Sequence, residues 1–163
     1  MSMGVGGLLV DTPARPLPRE RAVADKKGLQ RPTIAALVLA AGQSRRMEGQ
    51  NKLLMQIDGI PLVRHTVERI IASNINEIVV VTGHQDNEIL EALKGLKASF
   101  VYNSLYAEGL STSLTAGIRS LDVDAVLVCL GDMPAIGANH INRLISEFSP
   151  ENGRAIGVPV HNG

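Results

Sequence analysis

Tryptophan is absent from this sequence, and two phenylalanines and two tyrosines are the whole of its aromatic content. Any core must therefore be aliphatic, assembled from Val, Ile, Leu and Ala, which the 45% hydrophobic content readily supplies. There is one cysteine, Cys129, so no disulfide can form within the chain. Its setting in VLVCLGD reads as a buried core thiol. Net charge is also missing: Lys+Arg and Asp+Glu both number 16, which argues against a broad basic face for nucleic acid but leaves room for a small basic pocket. No apolar run approaches the ~20 residues of a membrane span, and MSMGVGGLLVDTP has neither the basic start nor the long apolar stretch of a signal peptide. A cytoplasmic protein with no membrane and no nucleic-acid partner is expected.

The 163 residues suffice for one ordinary domain. Residues 1–33 carry Pro13, Pro16, Pro18 and Pro32 among many Lys and Arg, with no helical or strand period. They read as a linker or tail, although the apolar MGVGGLL is out of place in a pure linker and suggests the end of a domain upstream. From residue 34 the pattern is regular. Strand-like runs lie at 34–40, 77–83, 98–102, 125–131 and 155–160, and most are continuously apolar rather than alternating, the mark of strands buried on both faces. Between them lie helical patterns: Val63, Val67, Ile70 and Ile71; Ile89, Leu90, Leu93 and Leu96; Ile141, Leu144, Ile145 and Phe148. Ser111 is a suitable N-cap for STSLTAGIRS, with Leu114 and Ile118 inward. The alternation predicts an α/β fold, a three-layer Rossmann-like, mostly parallel sheet with helices on both faces.

Ligands of such sheets bind beyond the carboxyl ends of the strands. That selects the loops 41–54, 82–86, 103–113 and 131–137. In the first, Ala40, Ala41 and Gly42 are small enough for backbone N–H groups to approach an anion, and Arg45, Arg46 and Lys52 add positive charge. The combination suits a polyphosphate; a solvated basic turn is the plain alternative. Neither G-x-G-x-x-G nor G-x-x-x-x-G-K-[ST] is present. In LGDMP, Asp132 follows a strand and is placed to hold Mg²⁺, which takes one or two protein carboxylates with phosphate oxygens and waters. A turn aspartate is the alternative there.

Taken together, LAAGxSxRM with a following Lys, a PLV helix, VVVTGH and GDMP resemble the nucleotidyltransferases of molybdenum cofactor biosynthesis, the MobA-like NTP transferases. The stretch NSLYAEGLSTSLTAGI, with its N-x-x-Y-x-x-G-x-x-x-S-L pattern, resembles the cytidylyltransferase branch more narrowly. The resemblance covers residues 34–163. It implies that Leu39, Ala40, Ala41, Gly42 and Ser44 wrap the nucleotide and its phosphates, and that Arg46 and Lys52 neutralise the triphosphate. Thr82 and Gly83 would lie near the base, Gly109, Ser111 and Ser113 would recognise base or ribose, and Asp132 would hold Mg²⁺. His84 reads as a loop residue rather than a catalyst. The implied reaction joins CMP from CTP to the phosphate of molybdenum cofactor (molybdopterin), with pyrophosphate leaving. The nucleophile is already an anion, so no Ser-His-Asp set is needed, and catalysis reduces to alignment and charge neutralisation. A molybdoenzyme or its chaperone would be a further partner.

Two departures stand out. Glu48 occupies the place of the glycine in R-M-G, and Gly49 can take over that turn by a one-residue shift. Relatives continue past VPVHNG with further strands and a second carboxylate in a later G-D motif, so residues 34–163 read as the N-terminal part of the transferase domain. The start, MGVGGLLVDTPARPLPRE, faintly resembles the end of a molybdopterin-binding domain. Two alternatives follow: guanylyl transfer to the same cofactor, and a nucleotide-binding module without turnover. Sugar-phosphate enzymes carry a G-G-x-G-T-R-L type loop instead, which AAGQSRRM does not match.

Overall fold

A computed structural model describes residues 32–43 and 50–148. Its centre is β1 (Ile34–Leu39), an unbroken apolar strand buried along its whole length. It pairs in parallel with β4 (Glu77–Thr82) on one side and with β6 (Ala125–Leu130) on the other. Beyond β4 lies β5 (Ser99–Tyr102), also parallel, which gives the order β5-β4-β1-β6. The chain leaves β1 toward β4 and β5, then returns to the opposite side of β1 as β6. The carboxyl ends of β1 and β6 therefore flank a topological switch point, where open parallel sheets form their ligand crevice.

Successive side chains of β1 face opposite layers. Ala36 and Val38 pack with Val63, Val67 and Ile70 of α1 (Leu62–Ile71), Ile89 of α2 (Asp86–Ala92) and Ile141 of α4 (Ala138–Glu147). Ala35, Leu37 and Leu39 face the other layer, where Leu114 of α3 (Leu110–Arg119) and Leu121 pack. Helices on both faces of a parallel sheet are as expected. No helix among the described residues is long and apolar enough to cross a membrane.

The structure departs from expectation in four places. The expectation of burial on both faces holds for β1 and for nearly all of β4 but not for the outer strands. Val128 and Leu130 of β6 are 47% and 42% exposed because α3 covers β1 and β4 and no described helix covers that side of β6. Ser111 is not the N-cap of α3. Gly109 holds that place with φ 126° and ψ 176°, a backbone state that favours glycine, and the helix starts at Leu110. Ile118 is correspondingly turned outward and exposed, while Leu114 packs inward. A hairpin absent from the sequence expectation joins β2 (Gln56–Ile57) to β3 (Ile60–Pro61). Its turn, Asp58-Gly59, has positive φ at both residues (53° and 78°), the type I′ geometry that an Asp-Gly pair favours. The strand expected at 155–160 and the tail at 1–33 lie outside the described residues, Pro32 and Thr33 excepted.

Helix α3 approaches the sheet unusually closely. A Cβ on Gly117 would stand 2.2 Å from Leu37 Cδ1 and 2.9 Å from Val81 Cγ2. Both partners are fully buried and cannot retreat. Gly117→Ala should therefore cost ~1–3 kcal/mol through overpacking, lowering the melting temperature by several degrees in calorimetry. Cys129 is buried as expected, and burial pushes its thiol up to about 11. Iodoacetamide at pH 8 should label it only in denaturant, and labelling of the native chain at the denatured rate would refute this burial.

Candidate functional site

The carboxyl end of β1 is stitched to its neighbours. Ala40 N donates to Val81 O at 2.8 Å, His84 N to Ala41 O at 3.3 Å, and Gly131 N to Leu39 O at 3.0 Å. Ala40 turns its methyl into the core, whereas Leu39, Ala41 and Gly42 line an open cavity of about 430 Å³ together with residues of the loop after β5. A Cβ on Gly42 would meet nothing within 4 Å among the described residues.

The far wall is Tyr106, Ala107, Glu108, Gly109, Leu110 and Ser113. Gly83 supports it from behind: a Cβ there would stand 2.6 Å from Tyr106 Cβ and 2.9 Å from Ala41 Cβ. Tyr106 can thus lie across the end of β4 only because residue 83 is glycine. The His84 ring is tilted against Tyr106, with centroids 6.1 Å apart.

Beside this cavity, at the switch point, Lys52 Nζ donates to Asp132 Oδ2 at 2.9 Å. Each partner is held from its own side. Lys52 opens a single 3₁₀ turn (Lys52–Leu54) capped by Asn51, whose Oδ1 accepts from Leu53 N at 3.1 Å. Asp132 follows Gly131, whose carbonyl accepts from Thr66 Oγ1 of α1 at 3.0 Å. A Cβ on Gly131 would press on Leu39 O and Leu53 Cδ2, both at 3.2 Å. Two loops separated by 80 residues of sequence are thereby brought to one point.

Of the residues expected from sequence, Leu39, Ala41, Gly42, Gly109 and Ser113 come together around the cavity, and Lys52 meets Asp132 next to it. Ala40 lies beneath as core. Thr82 is not brought to the cavity wall: it is buried, and its hydroxyl is directed at Val101 O (3.5 Å) of β5. Gly83 acts from behind, through Tyr106. Ser111 is exposed on the first turn of α3 and is outside the cavity lining. Ser44 and Arg46 fall outside the described residues. Sequence reasoning gave no role to Asn51, Asn103 or Tyr106. Asn51 is buried beside Lys52, with Nδ2 lacking any acceptor among the described residues. The available sequence signal for the other two was their place in the N-x-x-Y-x-x-G pattern of the loop after β5.

An open cavity at the carboxyl edge of a parallel sheet with helices on both faces, with a lysine and a carboxylate at the switch point, defines an α/β domain with a candidate ligand site. Comparison narrows the class. Residues 36–163 match the model of the MobA-like NTP transferase domain, and the chain belongs to that family. It is 36% identical over 124 residues to a probable molybdenum cofactor guanylyltransferase of Pyrococcus horikoshii, covering 76% of this chain and 59% of that protein. It is 30% identical over 130 residues to the bifunctional protein GlmU of Francisella tularensis subsp. novicida, covering 79% of this chain and 28% of that one. It superposes on a nucleotidyl transferase from Methanothermobacter thermautotroptrophicus with a TM-score of 0.66 and 33% identity, over 71% of this chain and 57% of the other. The chain thus spans a little under three fifths of the Pyrococcus relative.

The side chains of Lys52 and Asp132 are 49% and 32% exposed, so their pairing is screened by water. Its contribution to stability is about 0–1 kcal/mol. Lys52→Met should leave the melting temperature within about 3 °C of the parent, while Gly83→Val, which displaces Tyr106, should lower it further. A reversed order would place the structural weight on the ion pair instead.

Proposed function

We propose that the chain is a nucleotidyltransferase that transfers CMP from CTP to a phosphate of molybdenum cofactor. An oxygen of the acceptor phosphate bonds to the α-phosphorus, the bond from that phosphorus to the bridging oxygen breaks, and pyrophosphate leaves with the electron pair. The observation that carries this reading is the meeting of Lys52 and Asp132 beside a cavity walled by Leu39, Ala41 and Gly42. The cavity accepts a nucleoside, the small-residue loop brings N–H groups to its phosphates, and Lys52 neutralises charge on the triphosphate and on the leaving pyrophosphate. Arg46 is assigned the same task from the sequence pattern.

Asp132 fits a divalent cation shared with phosphate. No cluster of three or more His, Cys, Asp or Glu exists among the described residues, so a cation here takes most of its ligands from the nucleotide and water, the habit of Mg²⁺. Asp132 already keeps a cationic group, Lys52 Nζ, at hydrogen-bond distance. When bound, Mg²⁺ supplies charge neutralisation at the triphosphate. Lys52 aligns the phosphates against the acceptor, and the walls of the cavity limit the nucleoside to one pose.

GTP is the second reading for the donor. The N-x-x-Y-x-x-G-x-x-x-S-L stretch supports CTP, and the likeness to probable molybdenum cofactor guanylyltransferases of Pyrococcus horikoshii and Thermococcus sibiricus, both 36% identical, supports GTP.

Thermal stability with Mg²⁺ and each nucleotide tests the reading. A nucleotide at ~100 times its Kd should stabilise by ~2.7 kcal/mol, a shift of several degrees. Selective stabilisation by CTP supports the cytidylyl reading and by GTP the guanylyl one. Asp132→Asn should abolish the Mg²⁺-dependent part of the shift and lower pyrophosphate release with the cofactor by about 10²-fold or more. Stabilisation without pyrophosphate release would mean a binding module, and no stabilisation by any nucleotide would sink the reading.

A further inference from the structure

Asn103 follows β5 and is only 5% exposed, yet it is polar and stands behind the wall of the cavity. All of its hydrogen-bonding groups are engaged. Its N–H donates to Thr82 O at 2.9 Å, and its carbonyl accepts from Tyr106 N at 3.3 Å. In the side chain, Oδ1 accepts from Leu105 N at 3.0 Å. Nδ2 donates to Thr112 Oγ1 at 2.9 Å and to Ser113 Oγ at 3.0 Å. The contact with Leu105 fixes which way the amide lies. A backbone N–H only donates, so the atom facing it must be the oxygen, and the amino group must face α3.

The polarity is passed on. A hydroxyl has one proton and two acceptor lone pairs. Thr112 directs its proton to the carbonyls of Leu105 (2.9 Å) and Gly109 (2.8 Å). Ser113 Oγ accepts from Asn103, and no acceptor for the Ser113 proton is present among the described residues. Ser113 is 4% exposed, and it lines the cavity with Leu39, Ala41, Gly42 and Tyr106. A buried hydroxyl whose acceptor side is taken by the protein presents its proton to whatever fills the cavity, and leaving that proton unpaired is costly. The helix beneath it adds to this: the N-terminus of α3 has no side-chain cap, so its first N–H groups are also donors without intrahelical partners.

We propose that Asn103 is a positioning residue that fixes Ser113 as a hydrogen-bond donor toward the base of the bound nucleotide. The cavity thereby selects a base that presents a carbonyl oxygen at this point, as cytosine and guanine do and adenine does not. This rests on the nucleotide-binding reading above and deepens it.

The test reverses the polarity with almost no change of shape. In Asn103→Asp an oxygen replaces Nδ2, Ser113 donates to it, and lone pairs rather than a proton face the cavity. Binding of Mg²⁺ complexes of CTP, GTP, ATP and inorganic tripolyphosphate is measured by calorimetry on the full chain, for the parent, Asn103→Asp, Ser113→Ala and the double variant. The parent should prefer CTP or GTP to ATP. Each single variant should lose about tenfold for the preferred nucleotide, the worth of one hydrogen bond to a buried donor, and keep tripolyphosphate affinity. The double variant should bind no more weakly than the weaker single, since no proton remains to be misdirected. A structural role for Asn103 predicts the opposite: equal loss for every ligand and losses that add in the double variant. Either of those results overturns the proposal. Should Asn103→Asp fail to fold, Ser113→Ala decides alone, and unchanged CTP, GTP and ATP affinities there overturn the proposal. A parent chain that binds tripolyphosphate but does not prefer CTP or GTP to ATP overturns base selection only. A parent that binds no nucleotide overturns the function proposed above.

Discussion

Strand β1 is hydrogen-bonded along both edges and buried on both faces, and the candidate site is assembled from what that position forces on its neighbours. A strand so enclosed cannot slide, because a one-residue slip would turn Leu37 and Val38 to the wrong layers. Its start is pinned as well. Thr33 donates to Asp124 through both N–H and hydroxyl, and Ile34 N donates to Asn76 Oδ1. With register fixed at its amino end, β1 delivers its carboxyl end between Val81 and Leu130. The site is then a matter of which loops follow these three strands and β5.

Charge and shape at the site come from different layers. The charged pair at the switch point is carried by short turns clamped to the core, through Asn51 on one side and Gly131 with Thr66 on the other. Its members remain half-exposed, able to exchange one partner for another at little cost in stability. The cavity wall is built differently, around a buried amide. Asn103 ties the end of β4, the turn carrying Tyr106 and the first turn of α3 into one rigid piece. A half-exposed ion pair next to a wall held by a buried amide suits a ligand that is charged at one end and met by neutral groups at the other.

Much of this was legible in the sequence. The apolar runs placed β1, β4, β5 and β6 within about a residue of their ends, although only β1 and nearly all of β4 are buried on both faces. LAAG and GDMP were legible as site elements since their positions at strand ends followed directly from those runs. The failures have equally specific causes. The Asp58-Gly59 hairpin was overlooked although an Asp-Gly pair is a strong local signal. Ser111 suits a cap because Ser is a good N-cap, but α3 begins two residues earlier, with Gly109 in that place, and Ile118 lies outward. The exposure of Val128 and Leu130 was invisible because a run's composition does not say which of its faces a helix will cover.

The sequence by itself determined the strand order of chemistry: small residues and cations after the first strand, a carboxylate after the strand of Cys129, and an Asn-to-Ser segment between them. These are local statements, written in hydrophobic period and residue type. Only the tertiary structure decided that Lys52 and Asp132 meet, that Gly83 is the space in which Tyr106 rests, and that Asn103 donates to Ser113. Each of those depends on distances between segments up to 80 residues apart. Such distances are fixed by the packing of α1 and α3 against the sheet and by the register of β1 with both neighbours.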